Sequence, residues 1–232
     1  MNQEKSRPKN PCYELVIFDW DGTLMNSEAR IVSAIQHAAE EVRLPVLSDE
    51  ESKQIIGLSL QHAILGLYPD VSPEQVEKMS AAYTQHFLED SDVPMQPFEG
   101  AEDLLKSLKQ AGAKLAVATG KSRRGLDRVL ADVGFESYFD MTRTPVEAAS
   151  KPDPLMLHQI LDALQVPVEK AVMVGDTEFD LLMAQNIGMD SIAVTHGVHG
   201  LEQLQQFYPV AWVDDLAELK SWLLPRVGDN CR

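Results

Sequence analysis

Cysteine is scarce, with two residues in a chain of 232, so a disulfide framework cannot substitute for a buried core. Cys12 and Cys231 stand near opposite ends. A bridge between them is geometrically possible, but a lone pair so placed reads as two free thiols in a reducing compartment. Basic residues are in deficit: 20 Lys and Arg face 36 Asp and Glu, a net charge of −16. Such a chain would have to overcome its own field before neutralising phosphates, which argues against nucleic acid as a partner and against an anionic membrane. No run approaches the ~18 apolar residues of a spanning helix. The polar segment 1–10 has no apolar signal core, so a cytoplasmic protein is expected. Repeats and low-complexity stretches are missing as well. With 44% apolar residues, what remains is an acidic, soluble, globular chain, long enough for one large or two modest domains.

Strands and helices alternate along it, with one long interruption. Tyr13 to Phe18 is an apolar run of strand length that stops at Asp19-Trp20-Asp21-Gly22, as a central strand ending in a charged turn would. From Glu28, apolar residues recur at helical spacing through Val42. Between Leu44 and Pro94 there are further helical segments and no strand, broken at Pro45, Gly57 and Pro69-Asp70, with Ser72-Pro73 as a helix start. Pro94 to Gly100 reads as a return linker. Beyond it, the sequence predicts strands at 114–118, 171–174, 191–194 and 211–213. Helices are expected from Ser122 to Val133 (closed by Gly134), from Pro154 to about Gln165, and near 216–223. This alternation implies an α/β fold, a Rossmann-like parallel sheet covered by helices on both faces, with an all-helical insert of about seventy residues.

In open parallel sheets, ligands bind beyond the carboxyl ends of the strands. There the sequence places Asp19 with Asp21, Thr119 with Gly120, Lys151, and Asp176 with Asp180. Singly, a DxDG turn, a TG, a KP and a GDxxxD are ordinary loop chemistry. Together they bring carboxylates from distant segments to one place, where they would repel without a cation. Oxygen ligands with no cysteine or histidine cluster favour Mg²⁺, which shares its coordination between carboxylates and phosphate oxygens. Thr119, the Gly120 amide and the Lys151 ammonium are the donors a phosphoryl group wants. Phosphoryl transfer is the expected chemistry.

The segments Phe18-Asp19-Trp20-Asp21-Gly22-Thr23-Leu24, Ala118-Thr119-Gly120, Lys151-Pro152 and Gly175-Asp176-Thr177-Glu178-Phe179-Asp180 resemble the four signature motifs of the haloacid dehalogenase superfamily, phosphatase branch. The insert resembles the helical C1 cap of its phosphoglycolate phosphatase-like subfamily. The resemblance implies a core of residues 1–25 and 95–232, with a loose tail over 1–12, and a cap over 26–94. It implies a Mg²⁺-dependent phosphatase in which Asp19 is the nucleophile, forms an aspartyl phosphate, and Asp21 serves as general acid and base. The metal would be held by Asp19, the Asp21 backbone carbonyl and Asp176, with Asp180 behind them, while Thr119, Gly120 and Lys151 bind the phosphoryl oxygens. The substrate would be a small phosphorylated metabolite such as 2-phosphoglycolate, and monomer and homodimer stay equally open. A phosphomutase or pyrophosphatase of the same fold shares this chemistry. A receiver-type phospho-acceptor lacks an acid two residues past its aspartate, so Asp21 disfavours that alternative.

Other residues carry weaker signals. His196 and His199 share a glycine-rich loop but have no third ligand, and read as a surface turn rather than a metal site. Lys121, Arg123 and Arg124 follow the Thr119 strand end and either add positive potential there or cap and solvate a helix start, the second reading being preferred. Gly57-Leu58-Ser59 is either a plain turn or a loop facing the site. Trp20 and Trp212 are expected in the core.

Overall fold

The computed structural model describes residues 11–231; residues 1–10, which hold most of the expected tail, lie outside the described residues. Six strands, β1 (Leu15–Phe18), β4 (Lys114–Ala118), β5 (Met141–Arg143), β6 (Ala171–Gly175), β7 (Asp190–Val194) and β8 (Ala211–Val213), form one sheet in the order β5-β4-β1-β6-β7-β8. Every pairing in it is parallel. The two remaining strands, β2 (Met25–Asn26) and β3 (Gln96–Pro97), make an antiparallel ribbon with Met25 opposite Pro97.

Between the ribbon strands lie four helices, α1 (Glu28–Glu41), α2 (Asp49–Lys53), α3 (Leu60–Leu67) and α4 (Pro73–Gln85), followed by a wide turn over His86–Asp90. The helix starts follow from the sequence: Ser48 and Ser72 accept from the amides of Glu51 and Gln75, and Pro73 occupies the first turn, where its missing N–H costs nothing. These helices enclose their own apolar cluster around Ile35, Ile64, Met79 and Phe87. Arg30 ties the way out to the way in, its guanidinium donating to the carbonyls of Val93 (2.7 Å) and Ser91 (3.1 Å).

The sheet is covered on both faces, which explains its uninterrupted apolar strands. Side chains alternate along β1: Val16 and Phe18 face α5 (Ala101–Gln110), α6 (Arg123–Val133) and α10 (Leu216–Leu223), while Leu15 and Ile17 face α7 (Leu155–Leu164) and α8 (Glu178–Gln185). The short α9 (Leu201–Leu204) closes the β7 end. Trp20 is fully buried against Phe135 and Phe139, as expected.

Two expectations are overturned. Trp212 is 53% exposed: it sits on the edge strand β8, where Val213 takes the covered face and the alternate position points outward. The cysteines are not free thiols, because Cys12 and Cys231 are joined as a disulfide with Cα atoms 5.6 Å apart. The chain ends meet because Tyr13 pairs with the C-terminal segment, its N–H donating to Arg226 O at 2.7 Å and its carbonyl accepting from Gly228 N–H at 3.0 Å. No helix among the described residues is long and apolar enough to cross a membrane.

Candidate active site

β1 lies at the centre of the sheet, so the loops following β1, β4 and β6 converge at one edge. Asp19 begins the first loop and is fully buried. Asp176 and Asp180 follow β6, and one oxygen from each of the three carboxylates lies within 4.8 Å of the others. Lys151 reaches in from the loop before α7 with its side chain wholly buried; its Nζ lies 2.8 Å from Asp19 Oδ1 and 2.6 Å from Asp180 Oδ1. Three carboxylates against one ammonium leave two negative charges unbalanced when all are ionised.

The oxygens differ in what they have left to offer. Asp180 is saturated: Oδ1 takes Lys151, and Oδ2 accepts the Thr177 amide at 3.1 Å and hydroxyl at 2.7 Å. This clasp at the start of α8 is a helix-capping arrangement, so a local folding signal also positions the partner of Lys151. Asp176 receives the Thr23 hydroxyl on Oδ1 (2.7 Å) and the Val198 amide on Oδ2 (2.9 Å). Among the described residues, neither oxygen of Asp19 receives a well-directed hydrogen bond, and Lys151 is its one close cation. Burial, helped by Asp180 and Asp176, holds the Asp19 carboxyl well above the usual range in spite of Lys151. Burial, together with Asp180, pushes Asp176 up to about 7. Burial pulls Lys151 down, but Asp180 and Asp19 outweigh it and hold the ammonium above its ordinary value. The donor set is all oxygen and over-negative, with Asp19 the least bonded of the three, and it fits a hard divalent cation. Gly22 packs on this cluster at φ +83°; a Cβ there would run into the Asp176 carboxylate.

Asp21 stands apart from the carboxylate cluster. Its Oδ1 accepts from Ser27 Oγ at 2.7 Å, and Lys121 Nζ lies 3.1 and 3.0 Å from its two oxygens. Thr119, from the end of β4, is buried with its Oγ1 accepting the Lys121 amide at 3.2 Å. Gly120 lies directly under the carbonyls of Gly57 and Leu58, where any Cβ would collide with them. The Gly57-Leu58-Ser59 segment is therefore the loop that faces the site, anchored by Ser59 N–H donating to Ser150 Oγ at 2.9 Å.

All the residues expected at the site gather there, and Lys121 joins them. Of the two readings of Lys121, the preferred one, solvation of a helix start, is overturned: its side chain is 7% exposed, paired with Asp21 and 4.1 Å from the Phe87 ring centroid. Its place two residues past Thr119 was the available signal, since β4 pairs directly with β1. Ser27 and Thr23 were also missed, and nothing in a lone hydroxyl marks it as a carboxylate partner. Arg123 and Arg124 stay on the surface, paired with Asp127 and Glu147, and with Glu89. His196 and His199 have separate structural partners: His196 Nε2 lies 3.0 Å from Thr23 O, and His199 Nδ1 accepts the Glu178 amide at 3.0 Å.

Comparison with known proteins gives the family. Residues 16–194 match the family model of the haloacid dehalogenase-like hydrolases. "Pyrophosphatase PpaX" of Halalkalibacterium halodurans is 31% identical over 195 residues, 84% of this chain and 89% of the relative. "Probable phosphatase IndB" of Dickeya dadantii is 36% identical over 214 residues, 88% and 91% respectively. The crystal structure of "a predicted phosphatase" from Clostridium acetobutylicum superposes with a TM-score of 0.83 at 25% identity, covering 92% of this chain and 99% of that one. With its motifs at the strand ends of the matching fold, the chain belongs to the haloacid dehalogenase-like hydrolase family.

Proposed function

We propose that the protein is a Mg²⁺-dependent phosphatase that hydrolyses a small phosphomonoester through a phosphorylated Asp19. The observation carrying this reading is the state of the Asp19 carboxylate: buried at the end of the central strand, with no well-directed hydrogen bond on either oxygen among the described residues, and 2.8 Å from the Lys151 ammonium. An anion so poorly solvated keeps its lone pairs for attack once neighbouring charge is balanced. Asp19 and Asp176, with the Asp21 backbone carbonyl, would hold Mg²⁺, and Asp180 would support them through Lys151. Bound there, the ion supplies charge balance for the phosphoryl oxygens and for the carboxylates around them.

Thr119, the Gly120 amide and Lys151 bind the phosphoryl oxygens and aim the phosphorus at Asp19. The Asp19 oxygen forms the new P–O bond as the ester P–O bond breaks, and Asp21 gives its proton to the departing alkoxide. Water then attacks the aspartyl phosphate, Asp21 takes up its proton, and Asp19 is released as carboxylate. Acid-base help of this kind contributes ~10²–10⁴-fold. Residues 26–94 act as a cap over a core of 11–25 and 95–231, with the β2–β3 ribbon as its stem and the Gly57 loop as its contact with the phosphoryl site. Replacing Asp19 with Asn keeps size and removes the attacking charge. Phosphate release with Mg²⁺ should vanish while circular dichroism is unchanged, and acid-quenched wild-type enzyme should carry a phosphate on the Asp19 peptide. Near-normal release by the variant, or a phosphate trapped on another residue, would move the nucleophile elsewhere.

A further inference from the structure

Between the Gly57 loop and the core, a partly open cavity of about 70 Å³ gives onto Asp19 and Asp21. The core side of its lining carries all the charge: Asp19, Asp21 and Lys121. The cap side has none, and its wall is built from residues such as Ile35, Ile56, Leu60, Phe87 and Leu88. Two cap residues there bear hydroxyls. Thr84 spends its own on Ser80 O at 2.8 Å, whereas the Tyr83 hydroxyl has no hydrogen-bond partner among the described residues. Tyr83 is stacked on Phe87, ring centroids 5.7 Å apart.

The cations near this wall are already engaged. Lys121 is paired with Asp21 under the Phe87 ring. Lys151 is turned to Asp19 and Asp180, and Arg30 to backbone carbonyls. A substrate with a second anionic group would press that charge against aliphatic and aromatic side chains with no free counter-charge, a costly burial. A leaving group that is itself apolar would gain from the same wall.

From this division of the cavity, and resting on the phosphatase reading above, we propose that the natural substrate is the phosphate monoester of an uncharged, apolar alcohol. Its hydrocarbon or aromatic body sits against Ile35, Ile56 and the Tyr83–Phe87 stack, with at most one polar atom directed to the Tyr83 hydroxyl. Esters whose alcohol half carries a carboxylate or a second phosphate, and pyrophosphate itself, are disfavoured by the wall.

The test uses a matched pair, benzyl phosphate and 4-carboxybenzyl phosphate, assayed for phosphate release with Mg²⁺ beside pyrophosphate and 2-phosphoglycolate. Benzyl phosphate should exceed 4-carboxybenzyl phosphate by at least ~100-fold in kcat/KM and should also exceed both small anions. Leu88→Lys, which adds a cation to the cap wall, should narrow the gap within the matched pair at least ~10-fold. Equal or faster turnover of the carboxylated ester, pyrophosphate or 2-phosphoglycolate by wild-type enzyme, with release lost in Asp19→Asn, would overturn this inference and leave the phosphatase reading standing. Release from none of the four would overturn both.

Discussion

The over-negative carboxylate cluster should reveal itself as a coupling of stability, pH and Mg²⁺. Asp176 has an ordinary value of 3.8 and is pushed to about 7 by burial and by Asp180. At 1.36 kcal/mol per pH unit, ionising it in the metal-free fold costs ~4 kcal/mol. Between those two values the folded chain retains a proton that the unfolded chain has lost, so metal-free stability falls as pH rises from about 4 to about 7 and levels off above. Asp19, raised in the same direction, adds to the trend. From pH 5 to pH 7 the Asp176 share alone is ~2 kcal/mol, several degrees in Tm for a chain of this length. Mg²⁺ binds the ionised carboxylates and removes the penalty, so its stabilisation should be large at pH 7.5 and should shrink toward pH 5.5, with affinity weakening about tenfold per unit below 7. Differential scanning fluorimetry in EDTA and in millimolar Mg²⁺ across this range reads both effects. Asp176→Asn cannot ionise and should flatten the metal-free profile while abolishing the Mg²⁺ response. A metal-free Tm that is level or rising from pH 5 to 7.5, or a Mg²⁺ shift independent of pH, would refute the assignment of this cluster as a cation site.

Gly120→Ala places a methyl against the Gly57 and Leu58 carbonyls; it should lift the loop from the core, lower kcat/KM more than ~100-fold and increase hydrogen exchange across 94–100, whereas unchanged kinetics would show that the contact is incidental. Lys121→Met leaves Asp21 with Ser27 as its side-chain partner and, by stranding a nearly buried carboxylate, should lower Tm and reduce kcat ~10-fold or more; a loss confined to KM would instead make Lys121 a substrate contact. Thiol titration of the denatured, unreduced protein should find no free cysteine, since Cys12 and Cys231 are bridged. Reducing that bridge should lower stability by at most ~5 kcal/mol for a loop this long, read as a fall in Tm, and an unaltered Tm would show that the pairing of Tyr13 with the C-terminal segment holds the ends by itself.

What the sequence determined by itself is what local periodicity and abrupt changes of polarity can encode. β1 and β6 are recognisable because both faces are buried, and each apolar run ends at an aspartate that starts a loop. The starts of α4 and α6 are written in Ser72-Pro73 and Ser122, whose oxygens accept amides one turn on. Short, half-buried pieces leave no such trace: β5 and the β2–β3 ribbon are defined by their partners rather than by their own residues. The tertiary structure alone decided which distant groups share an environment. Lys121 neutralises Asp21 across 100 residues because parallel pairing sets β4 beside β1. Cys12 meets Cys231 across 219 residues because the sheet returns the chain to its beginning. Trp212 lies outside because its strand is the last of six. Ionic pairing and burial depend on distance in space, and only the closed sheet fixes that distance.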